Sequence, residues 1–214
     1  MKVLVTGGTG FVGSHSVAAL QSAGHDLRLL ARTPGKVEQV LGPLGVSLDE
    51  IEVVPGDATD EAAVDAAVRG CAAVLNCVSM VSLSRHDEDA VRSVNIRSAE
   101  VVLGAATRAG LDPVVHVSSV SALLPPAGGA VLTADAEVGE PPGGYMRSKA
   151  EADRAARRRQ ADGLPVVLTY PTMVVGPHDP TMGEGMGMLA RVLRGHVPAL
   201  PPGGMEMIDV RDLA

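Results

Sequence analysis

The sequence contains very few aromatic residues: no tryptophan, two tyrosines and one phenylalanine among 214 residues. Hydrophobic residues nevertheless make up 46% of the chain, so its core must be built from Val, Leu, Ala and Met. Only two cysteines are present, Cys71 and Cys77, and they show neither metal-ligand spacing nor a disulfide framework. No metal site is therefore predicted.

The net charge and the N-terminus narrow the expected partners. A formal net charge of −7 disfavours nucleic acid or an anionic membrane as the main partner. The dense basic run at 157–159 follows a helical pattern, so we interpret its three arginines as a solvated face. MKVLVTGG leads directly into a strand-like run without a signal-peptide layout, and no stretch reaches the ~18 apolar residues that span a bilayer. We expect a soluble cytoplasmic protein with a small-molecule substrate.

Short apolar runs alternate with longer helical patterns along the chain. The apolar runs are continuous in Val and Leu, which is typical of a parallel sheet covered on both faces. This alternation predicts an α/β fold with a doubly wound parallel sheet, a Rossmann fold. Strands are predicted at 3–7, 26–31, 51–56, 72–78, 113–119 and 165–171, and helices at 11–24, 60–70, 87–110 and 145–161.

Two segments interrupt the alternation. Residues 124–144 are rich in Pro and Gly, and loops of this length are usually functional or mobile. Residues 176–204 contain several glycines and a short helical pattern at 189–195. We predict a dinucleotide-binding domain at 1–175 and the start of a substrate-binding part at 176–214, although a plain surface excursion would also explain the second segment.

A glycine-rich turn, TGGTGFVG at 6–13, follows the first predicted strand. Gly7, Gly10 and Gly13 are spaced three apart between a strand and a helix. The first glycine permits a tight turn, the second lets the backbone approach a pyrophosphate, and the third lets the helix pack closely on the sheet. The helix N-terminus then favours phosphate. A dinucleotide site is predicted, with a purely structural turn as the alternative, and its further candidate positions are Thr9, Phe11 and Val12.

The end of the second predicted strand bears on the choice between NAD and NADP. NAD-binding proteins usually place an acidic residue there, but Ala31-Arg32-Thr33 contains no carboxylate. Arg32 would instead contact a 2′-phosphate through its forked guanidinium, with Lys36 as a second charge. We therefore predict NADP and regard NAD as less favoured. A surface arginine without a ligand is the alternative.

Asp57 lies in GDATD after the third predicted strand, at the edge of the sheet where ligands bind in such folds. Its carboxylate would accept a hydrogen bond from the adenine amino group, with Ala58 beside it, or it would simply form the turn. The spacing leaves both roles open. Asp60 is predicted to be the N-cap of the next helix.

Tyr145 and Lys149 lie four residues apart in GGYMRSKAEAD, at the predicted start of a helix. Positions i and i+4 share one helix face. An ammonium there would lower the pKa of the phenol from about 10 and let it exchange a proton near neutral pH. The alternative is a structural cation-aromatic pair.

Five motifs occur in order along the chain: TGGTGFVG, GDATD, VHVSSVSA, YMRSK and YPTMVVGP. With these motifs the chain resembles the extended short-chain dehydrogenase/reductases of the NAD-dependent epimerase/dehydratase superfamily. Within them it is most similar to the dihydroflavonol-reductase-like and 3β-hydroxysteroid-dehydrogenase-like branch, whose NADP-using members carry an Arg at the position of Arg32. The resemblance covers essentially the whole chain. It implies an NADP-dependent oxidoreductase that transfers a hydride between nicotinamide and a carbonyl or secondary alcohol.

The resemblance also implies roles for individual residues. Ser119 would hydrogen-bond the substrate oxygen, with Ser118 as the alternative one residue away. Tyr145 would be the general acid in reduction and the base in oxidation, and Lys149 would bind the nicotinamide ribose and lower the Tyr145 pKa. Asn95 matches an Asn of the long helix, where a structural role is at least as expected. Further cofactor contacts are implied at Cys77, Val78, Ser79, Pro171, Thr172, Met173 and Val174.

The chain departs from the family pattern at some points. Tyr170-Pro171 stands where the family usually shows Arg-Pro, and Asn76 stands where many relatives have His. Family members usually continue well beyond the segment that MEMIDVRDLA matches, so we expect either a fragment or an open substrate side, with a complete compact variant as the alternative. Many relatives dimerise through the two long helices, here 87–110 and 145–161, so the resemblance allows a homodimer, although the arginines at 154 and 157–159 of the second helix suit solvent better than a dry interface.

Two other functions compete with the reductase interpretation. A nucleotide-sugar epimerase would use the same Ser/Tyr/Lys set with retained NAD, but Arg32 and the missing acidic residue argue against it. A non-catalytic NADP-binding protein would typically lack Tyr145 or Lys149. A nucleotide-sugar dehydratase would carry an Asp-Glu pair after Ser119, which is absent here. The methionines at 182, 186 and 188 favour a fairly apolar substrate, although Met is also a common filler.

Overall fold

A six-stranded parallel sheet forms the centre of the computed structural model, which describes residues 1–125, 131–197 and 204–214. The strands lie in the order β3-β2-β1-β4-β5-β6, and every neighbouring pair is parallel. The order reverses between β1 and β4, which opens a crevice at the carboxyl ends of these two strands. The strands are β1 Lys2–Thr6, β2 Asp26–Ala31, β3 Ile51–Pro55, β4 Ala73–Asn76, β5 Val114–Val117 and β6 Val166–Thr169.

Helices cover both faces of the sheet and divide the core into two clusters. Successive strand residues point to opposite faces, so Val3 and Val5 pack with α1 and α2 while Leu4 packs with α3, α4 and α5. This explains why the strands read as continuous apolar runs. The doubly wound fold predicted from the sequence is confirmed. The helices are α1 Phe11–Ser22, α2 Val37–Leu41, α3 Glu61–Ala67, α4 Glu88–Ala109, α5 Gly144–Ala161, α6 Glu184–Leu193 and α7 Val210–Leu213.

A second, two-stranded sheet lies beyond the main one. Its parallel strands are β7, Met173–Val175, and β8, Met207–Asp209. This pairing was not predicted, because the two strands are only three residues long and far apart in the chain. The predicted domain boundary after residue 175 stays a prediction, and the β7–β8 pair joins its two sides.

Some predicted bounds are wrong in detail. The helical pattern expected at 189–195 begins earlier, at Glu184, and α2 was not predicted. A Cβ on Gly185 would lie 3.1 Å from Met173 Cγ, so this glycine lets α6 approach β7 closely. Parts of the two interrupting segments, 126–130 and 198–203, lie outside the described residues. Among the residues that are described, no helix combines the length and apolarity needed to cross a membrane.

Candidate active site

The glycine turn after β1 combines close packing with one open position. Gly7 has a φ of 77°, and a Cβ there would lie 2.7 Å from the backbone of Cys77. A Cβ on Gly13 would overlap the carbonyl oxygen of Gly7. A Cβ on Gly10, in contrast, would meet only that same oxygen, at 3.3 Å. The open backbone at Gly10 and the uncapped N-terminus of α1 therefore fit a dinucleotide pyrophosphate.

The other residues predicted for this turn lie around Gly10. Thr9 precedes it, and Phe11 and Val12 begin α1. Phe11 packs edge-on against His15, with 5.7 Å between the ring centroids. The Nε2 atom of His15 lies 3.1 Å from the carbonyl oxygen of Pro177, so the first turns of α1 contact the segment that follows β7.

Two cationic side chains face solvent just beyond β2. The Arg32 side chain is 77% exposed, with its Nη1 atom 3.9 Å from Asp57 Oδ2. Lys36 ends a short 3-10 turn and is also exposed. No carboxylate follows β2 directly, and among the described residues Asp57, just beyond β3, is the acidic group paired with Arg32. The contact of Arg32 and Lys36 with a 2′-phosphate stays a prediction.

Asp57 forms a turn with its own neighbour. Its Oδ1 atom accepts hydrogen bonds from the backbone N–H and the hydroxyl of Thr59, at 2.9 and 2.8 Å. The Thr59 N–H is the main reason that the pKa of this carboxyl lies below its ordinary value. The turn-forming role is therefore realised, and the adenine contact, with the buried Ala58 beside it, stays a prediction. Asp60 caps α3 through the N–H groups of residues 62 and 63, which confirms the predicted N-cap.

The residues after β4 pass directly beside the glycine turn. Asn76 is fully buried, and its Oδ1 atom accepts hydrogen bonds from the Thr6 hydroxyl at 2.8 Å and the Val78 N–H at 3.2 Å. This departure from the family pattern thus fixes the backbone that Gly7 packs against. Burial raises the pKa of the Cys77 thiol to about 12. Cys77 is therefore a neutral thiol, and its contact with a cofactor stays a prediction.

Three hydroxyl groups converge at the carboxyl ends of β4 and β5. Ser119, just beyond β5, and Ser79, beyond β4, both lie close enough to the Tyr145 phenol to oppose the rise of its pKa. The Ser119 hydroxyl also accepts a hydrogen bond from the Ser121 hydroxyl at 2.9 Å. The sequence motifs predicted Ser119 as the partner of Tyr145. For Ser79 they implied only a contact with the cofactor, and its position beside the phenol was not predicted.

The two adjacent serines after β5 have different environments. Ser118 is buried and donates its hydroxyl proton to Asp153 Oδ2 at 2.7 Å, which points it away from Tyr145. Ser119 is the serine beside the phenol. The geometry therefore favours Ser119 for the proposed contact with substrate and gives Ser118 a structural contact.

Lys149 follows Tyr145 by one helical turn and is 4% exposed. Its Nζ atom donates to the Val117 carbonyl at 3.1 Å. Desolvation lowers the pKa of this ammonium from 10.5 to about 8, partly offset by Cys77 and Asp153. The charged form therefore costs free energy in the folded protein.

The expected lowering of the Tyr145 pKa by Lys149 is not what this chain alone produces. Burial raises the pKa of the Tyr145 phenol, and the neighbouring Ser119 and Ser79 hydroxyls only oppose that rise. The physical reason is that Lys149 is held by the Val117 carbonyl and is itself desolvated. A nearby cationic ligand remains the expected source of further phenolate stabilisation.

Two backbone groups of the segment after β6 form hydrogen bonds with other parts of the chain. The Pro171 carbonyl accepts a hydrogen bond from Val120 N–H at 3.2 Å, and Met173 N–H donates to the Glu206 carbonyl at 3.3 Å. Thr172 and Val174 are partly buried between these contacts. The predicted nicotinamide contacts of residues 171–174 stay a prediction, and Pro171 also holds the turn after Ser119 in place.

Asn95 has a structural role that accounts for its side chain. Its Oδ1 atom accepts a hydrogen bond from Met80 N–H at 2.7 Å, and its Nδ2 atom donates to the Met80 carbonyl and to the Ser148 hydroxyl. It therefore ties α4 to α5 and to the segment after Ser79. These hydrogen bonds occupy both polar atoms of the Asn95 side chain, so they explain this residue without a contact to the hydroxyls of Ser119, Ser79 and Tyr145.

The interpretation of the basic run as a solvated face is wrong for Arg157. Its side chain is only 27% exposed and forms an ion pair with the buried Asp153. It also hydrogen-bonds Tyr170 and two backbone carbonyls. The spacing of Asp153 and Arg157, four residues apart on one helix, was the signal that would have indicated the pair. Arg158 is exposed.

A parallel sheet with a glycine turn after its first strand defines the class of Rossmann dinucleotide-binding proteins. The profile of the NAD dependent epimerase/dehydratase family matches residues 3–214. The chain therefore belongs to the NAD-dependent epimerase/dehydratase family.

Curated relatives include reductases and dehydrogenases. The chain is 31% identical to 3 beta-hydroxysteroid dehydrogenase/Delta 5-->4-isomerase of Mycobacterium tuberculosis, over 93% of this chain and 53% of that protein. It is 31% identical to cinnamoyl-CoA reductase 1 of rice, Oryza sativa, over 99% of this chain and 65% of that one. It is 28% identical to sterol demethylase protein B of Methylococcus capsulatus, over 100% and 63% respectively. The chain thus spans between about half and two thirds of the length of these relatives.

Solved structures show the same fold. The crystal structure of gox2253 has a TM-score of 0.85 and 27% identity, and the match covers 99% of this chain and 63% of that chain. A double mutant of the dTDP-glucose 4,6-dehydratase DesIV from Streptomyces venezuelae, with NAD bound, has a TM-score of 0.80 and 25% identity. That match covers 100% of this chain and 69% of the other.

Proposed function

We propose that this protein is an NADP-dependent oxidoreductase that interconverts a carbonyl group and a secondary alcohol on a small, fairly apolar substrate. The observation that supports this most directly is the convergence of the Ser119 and Ser79 hydroxyls on the Tyr145 phenol, one helical turn from Lys149. The cluster lies at the carboxyl ends of β4 and β5, on the same edge of the sheet as the open glycine turn.

Each residue of the cluster has a definite task in this proposal. A nicotinamide cofactor supplies or accepts the hydride when it is bound. Tyr145 donates the proton to the substrate oxygen in reduction and removes it in oxidation. Ser119 hydrogen-bonds that oxygen and so orients the carbonyl. Lys149, as an ammonium, stabilises the phenolate that remains after proton donation. Ser79 is a second hydrogen-bond donor to the phenolate.

NADP is favoured over NAD by the charge at the end of β2. Arg32 offers a planar fork for a 2′-phosphate, with Lys36 close in sequence. An acidic residue that would hold a ribose hydroxyl is missing at this strand end. The NAD-containing dehydratase structure supports the alternative, an NAD-retaining nucleotide-sugar enzyme such as an epimerase.

The apolar character of the substrate is supported by exposed apolar side chains on three segments of the chain. Val81 and Leu83 follow Ser79 and are 48% and 69% exposed, and Leu124 follows the turn after Ser119 and is 50% exposed. Met182, at the start of the segment before α6, is 58% exposed. Exposed apolar groups of this kind favour a partner with apolar surface.

The test is a fluorescence titration of the purified protein with NADPH and with NADH, repeated on Arg32→Ala. We expect tighter binding of NADPH and a loss of about tenfold to a hundredfold in NADPH affinity in the variant, because a charge-assisted hydrogen bond contributes roughly 1.5–3 kcal/mol. Arg69→Ala is the matched control, since Arg69 is an exposed arginine in the turn after α3 and contacts β2 through its backbone carbonyl, which the substitution keeps.

The other outcomes distinguish the alternatives. NADH binding as tight as NADPH binding, unchanged in Arg32→Ala, would overturn the cofactor assignment and favour the epimerase. NADPH binding without oxidation across a panel of ketones and aldehydes would favour a non-catalytic NADP-binding protein. Absence of binding to either cofactor would contradict the dinucleotide site itself.

A further inference from the structure

A buried carboxylate lies one helical turn beyond Lys149. Asp153 has no exposed surface, and both of its oxygens are hydrogen-bonded. Oδ2 accepts from the Ser118 hydroxyl at 2.7 Å, and Oδ1 accepts from Arg157 Nε at 2.8 Å and from the Tyr170 hydroxyl at 3.4 Å. Asp153 thus joins α5 to the residue next to the catalytic serine and to the end of β6. A buried charge of this kind is retained only when it is paired.

The Arg157 guanidinium extends this cluster to a third element. Its Nη1 atom donates to the Ala136 carbonyl at 2.9 Å, and its Nη2 atom donates to the Ala134 carbonyl at 3.1 Å and to the Tyr170 hydroxyl at 2.9 Å. With the bond to Asp153, one planar group makes four hydrogen bonds to three different parts of the chain. Its Cζ atom also lies 5.7 Å from the centroid of the Tyr170 ring.

The two carbonyls belong to a segment that we call the strap, residues 134–139. On its other side the strap pairs with the chain just beyond Ser119. Its Glu137 carbonyl accepts from Leu124 N–H at 2.7 Å, and its Gly139 N–H donates to the Ala122 carbonyl at 2.8 Å. The strap therefore lies between Arg157 and the turn that follows the catalytic serine.

We propose that Arg157 is a positioning residue that fixes the distance between the Ser119 and Tyr145 hydroxyls. Tyr145 follows the strap by only a few residues and is carried by α5, the helix that also bears Arg157. Ser119 precedes the turn to which the strap is hydrogen-bonded. Arg154 also ties the strap to α5, through a hydrogen bond from its Nη2 atom to the Gly139 carbonyl at 2.7 Å. Arg157 adds two further bonds to the strap and one to Tyr170, and so closes a ring of contacts between α5, the strap and the end of β6 that contains both hydroxyl groups.

The sequence at the end of β6 agrees with this assignment. Tyr170, just beyond β6, brings a hydroxyl but no charge to Asp153, so the guanidinium that pairs with this carboxylate comes from α5. A lysine at 157 would keep the positive charge but would lose the planar fork, and it would not reach Asp153, Tyr170 and both carbonyls together. The contacts at position 157 therefore depend on the planar guanidinium and not on the positive charge alone.

Arg157→Lys is the variant that tests this, and Arg158→Lys is its matched control on the same helix, at an exposed residue that has no hydrogen bond to the strap. The inference rests on the proposed function only for its kinetic readout. With a carbonyl substrate from the panel, we expect kcat of Arg157→Lys to fall by about tenfold to a hundredfold, as for a displacement on the order of 1 Å. The Kd for NADPH should stay within about twofold, because the glycine turn lies on other elements.

A second readout does not depend on activity. The chain has two tyrosines and no tryptophan, so Tyr170→Phe leaves Tyr145 as the only phenol, and its ionisation is followed by ultraviolet absorbance. The Ser119 and Ser79 hydroxyls lower the Tyr145 pKa. In the Tyr170→Phe background, displacement of Ser119 by Arg157→Lys should therefore raise the Tyr145 pKa, and Arg158→Lys should leave it unchanged.

The result that would overturn the proposal is an equal Tyr145 titration in the Arg157→Lys and Arg158→Lys variants, whatever the change in thermal stability. A loss of stability with an unchanged Tyr145 pKa would make Arg157 a purely structural residue. If the parent protein shows no turnover with any carbonyl compound, the proposed function fails, while the titration still decides whether Arg157 positions the two hydroxyls.

Discussion

The carboxyl side of the sheet has two parts that differ in construction. The proposed nucleotide part, around β1, α1 and β2 and here called the nucleotide edge, is shaped mainly by backbone. The proposed catalytic part, around β5, α5 and β6 and here called the catalytic edge, is shaped by side chains. At the first, Gly7 packs against the backbone just beyond β4, Gly13 packs against Gly7, and Gly10 stays open. At the second, the contacts among Ser118, Asp153 and Arg157 join three elements. A backbone-built site depends on residues that are close in sequence, while a side-chain-built site depends on residues that are distant.

This difference predicts how the two edges respond to substitution. At the nucleotide edge, a change at a packed glycine should disturb folding and cofactor binding together. At the catalytic edge, single polar substitutions should separate activity from stability, because the charged and hydroxyl groups there are held at a cost by the surrounding fold. Four further variants test this difference between the two edges.

Tyr145→Phe should have the largest effect. Turnover should fall by about a thousandfold, since general acid-base catalysis typically contributes roughly 10²–10⁴-fold. NADPH affinity should stay within about twofold of the parent, because only the phenolic oxygen is lost. The measurement is kcat together with a fluorescence titration. Retained turnover would show that another group moves the proton.

Gly13→Ala should destabilise the nucleotide edge strongly. The added Cβ would overlap the Gly7 carbonyl, and overpacking of this kind costs roughly 1–3 kcal/mol or more. Gly10→Ala is the matched control, since its Cβ meets only the same oxygen at 3.3 Å. We expect Gly10→Ala to weaken NADPH binding with little change in the free energy of unfolding. Equal unfolding free energies for both variants, measured by denaturant titration, would contradict the packing argument.

Lys149→Met should stabilise the protein while abolishing most activity. The folded-state pKa of about 8 lies below the ordinary 10.5, so the folded protein binds fewer protons than the unfolded chain between these values. The free energy of unfolding of the parent therefore rises with pH through this window. At neutral pH the variant avoids a penalty of up to about 3 kcal/mol.

The control for Lys149→Met is the pH dependence itself. The stability advantage of the variant should shrink from pH 8 upward and vanish above pH 10.5, where both states of the parent are neutral at this position. Denaturant unfolding of both proteins across this range measures it. A variant that is less stable than the parent at neutral pH would show that the Lys149 hydrogen bond to Val117 outweighs desolvation.

The sequence was most informative where structure depends on local pattern. Continuous Val and Leu runs predicted all six strands of the main sheet, and the glycine spacing predicted the turn after β1, because both follow from near neighbours. The short β7–β8 pair was missed because neither three-residue strand carries a periodic signal of its own. The partner of Tyr145 was predicted as Ser119 from the family motifs rather than from spacing.

The contacts of Arg157 show what local pattern cannot provide. Three consecutive arginines on a helix favour a solvated face, and this holds for Arg158. Arg157 is different because the Ala134 and Ala136 carbonyls reach it, and the course of an irregular segment is not encoded in helix periodicity. The same limit applies to Ser79, which reaches Tyr145 only because β4 and β5 are neighbours in the sheet.

Asp60→Ala should give the smallest effect and completes the contrast. The Asp60 carboxylate accepts hydrogen bonds from Ala62 N–H at 2.9 Å and Ala63 N–H at 3.4 Å, and loss of such an N-cap costs about 1 kcal/mol. Asp60→Asn is the control, since Asn caps about as well as Asp. Both variants should bind NADPH like the parent, because this carboxylate serves α3 alone. Weaker NADPH binding in Asp60→Ala than in Asp60→Asn would mean that the start of α3 also shapes the nucleotide edge, and that a side chain contributes there as at the catalytic edge.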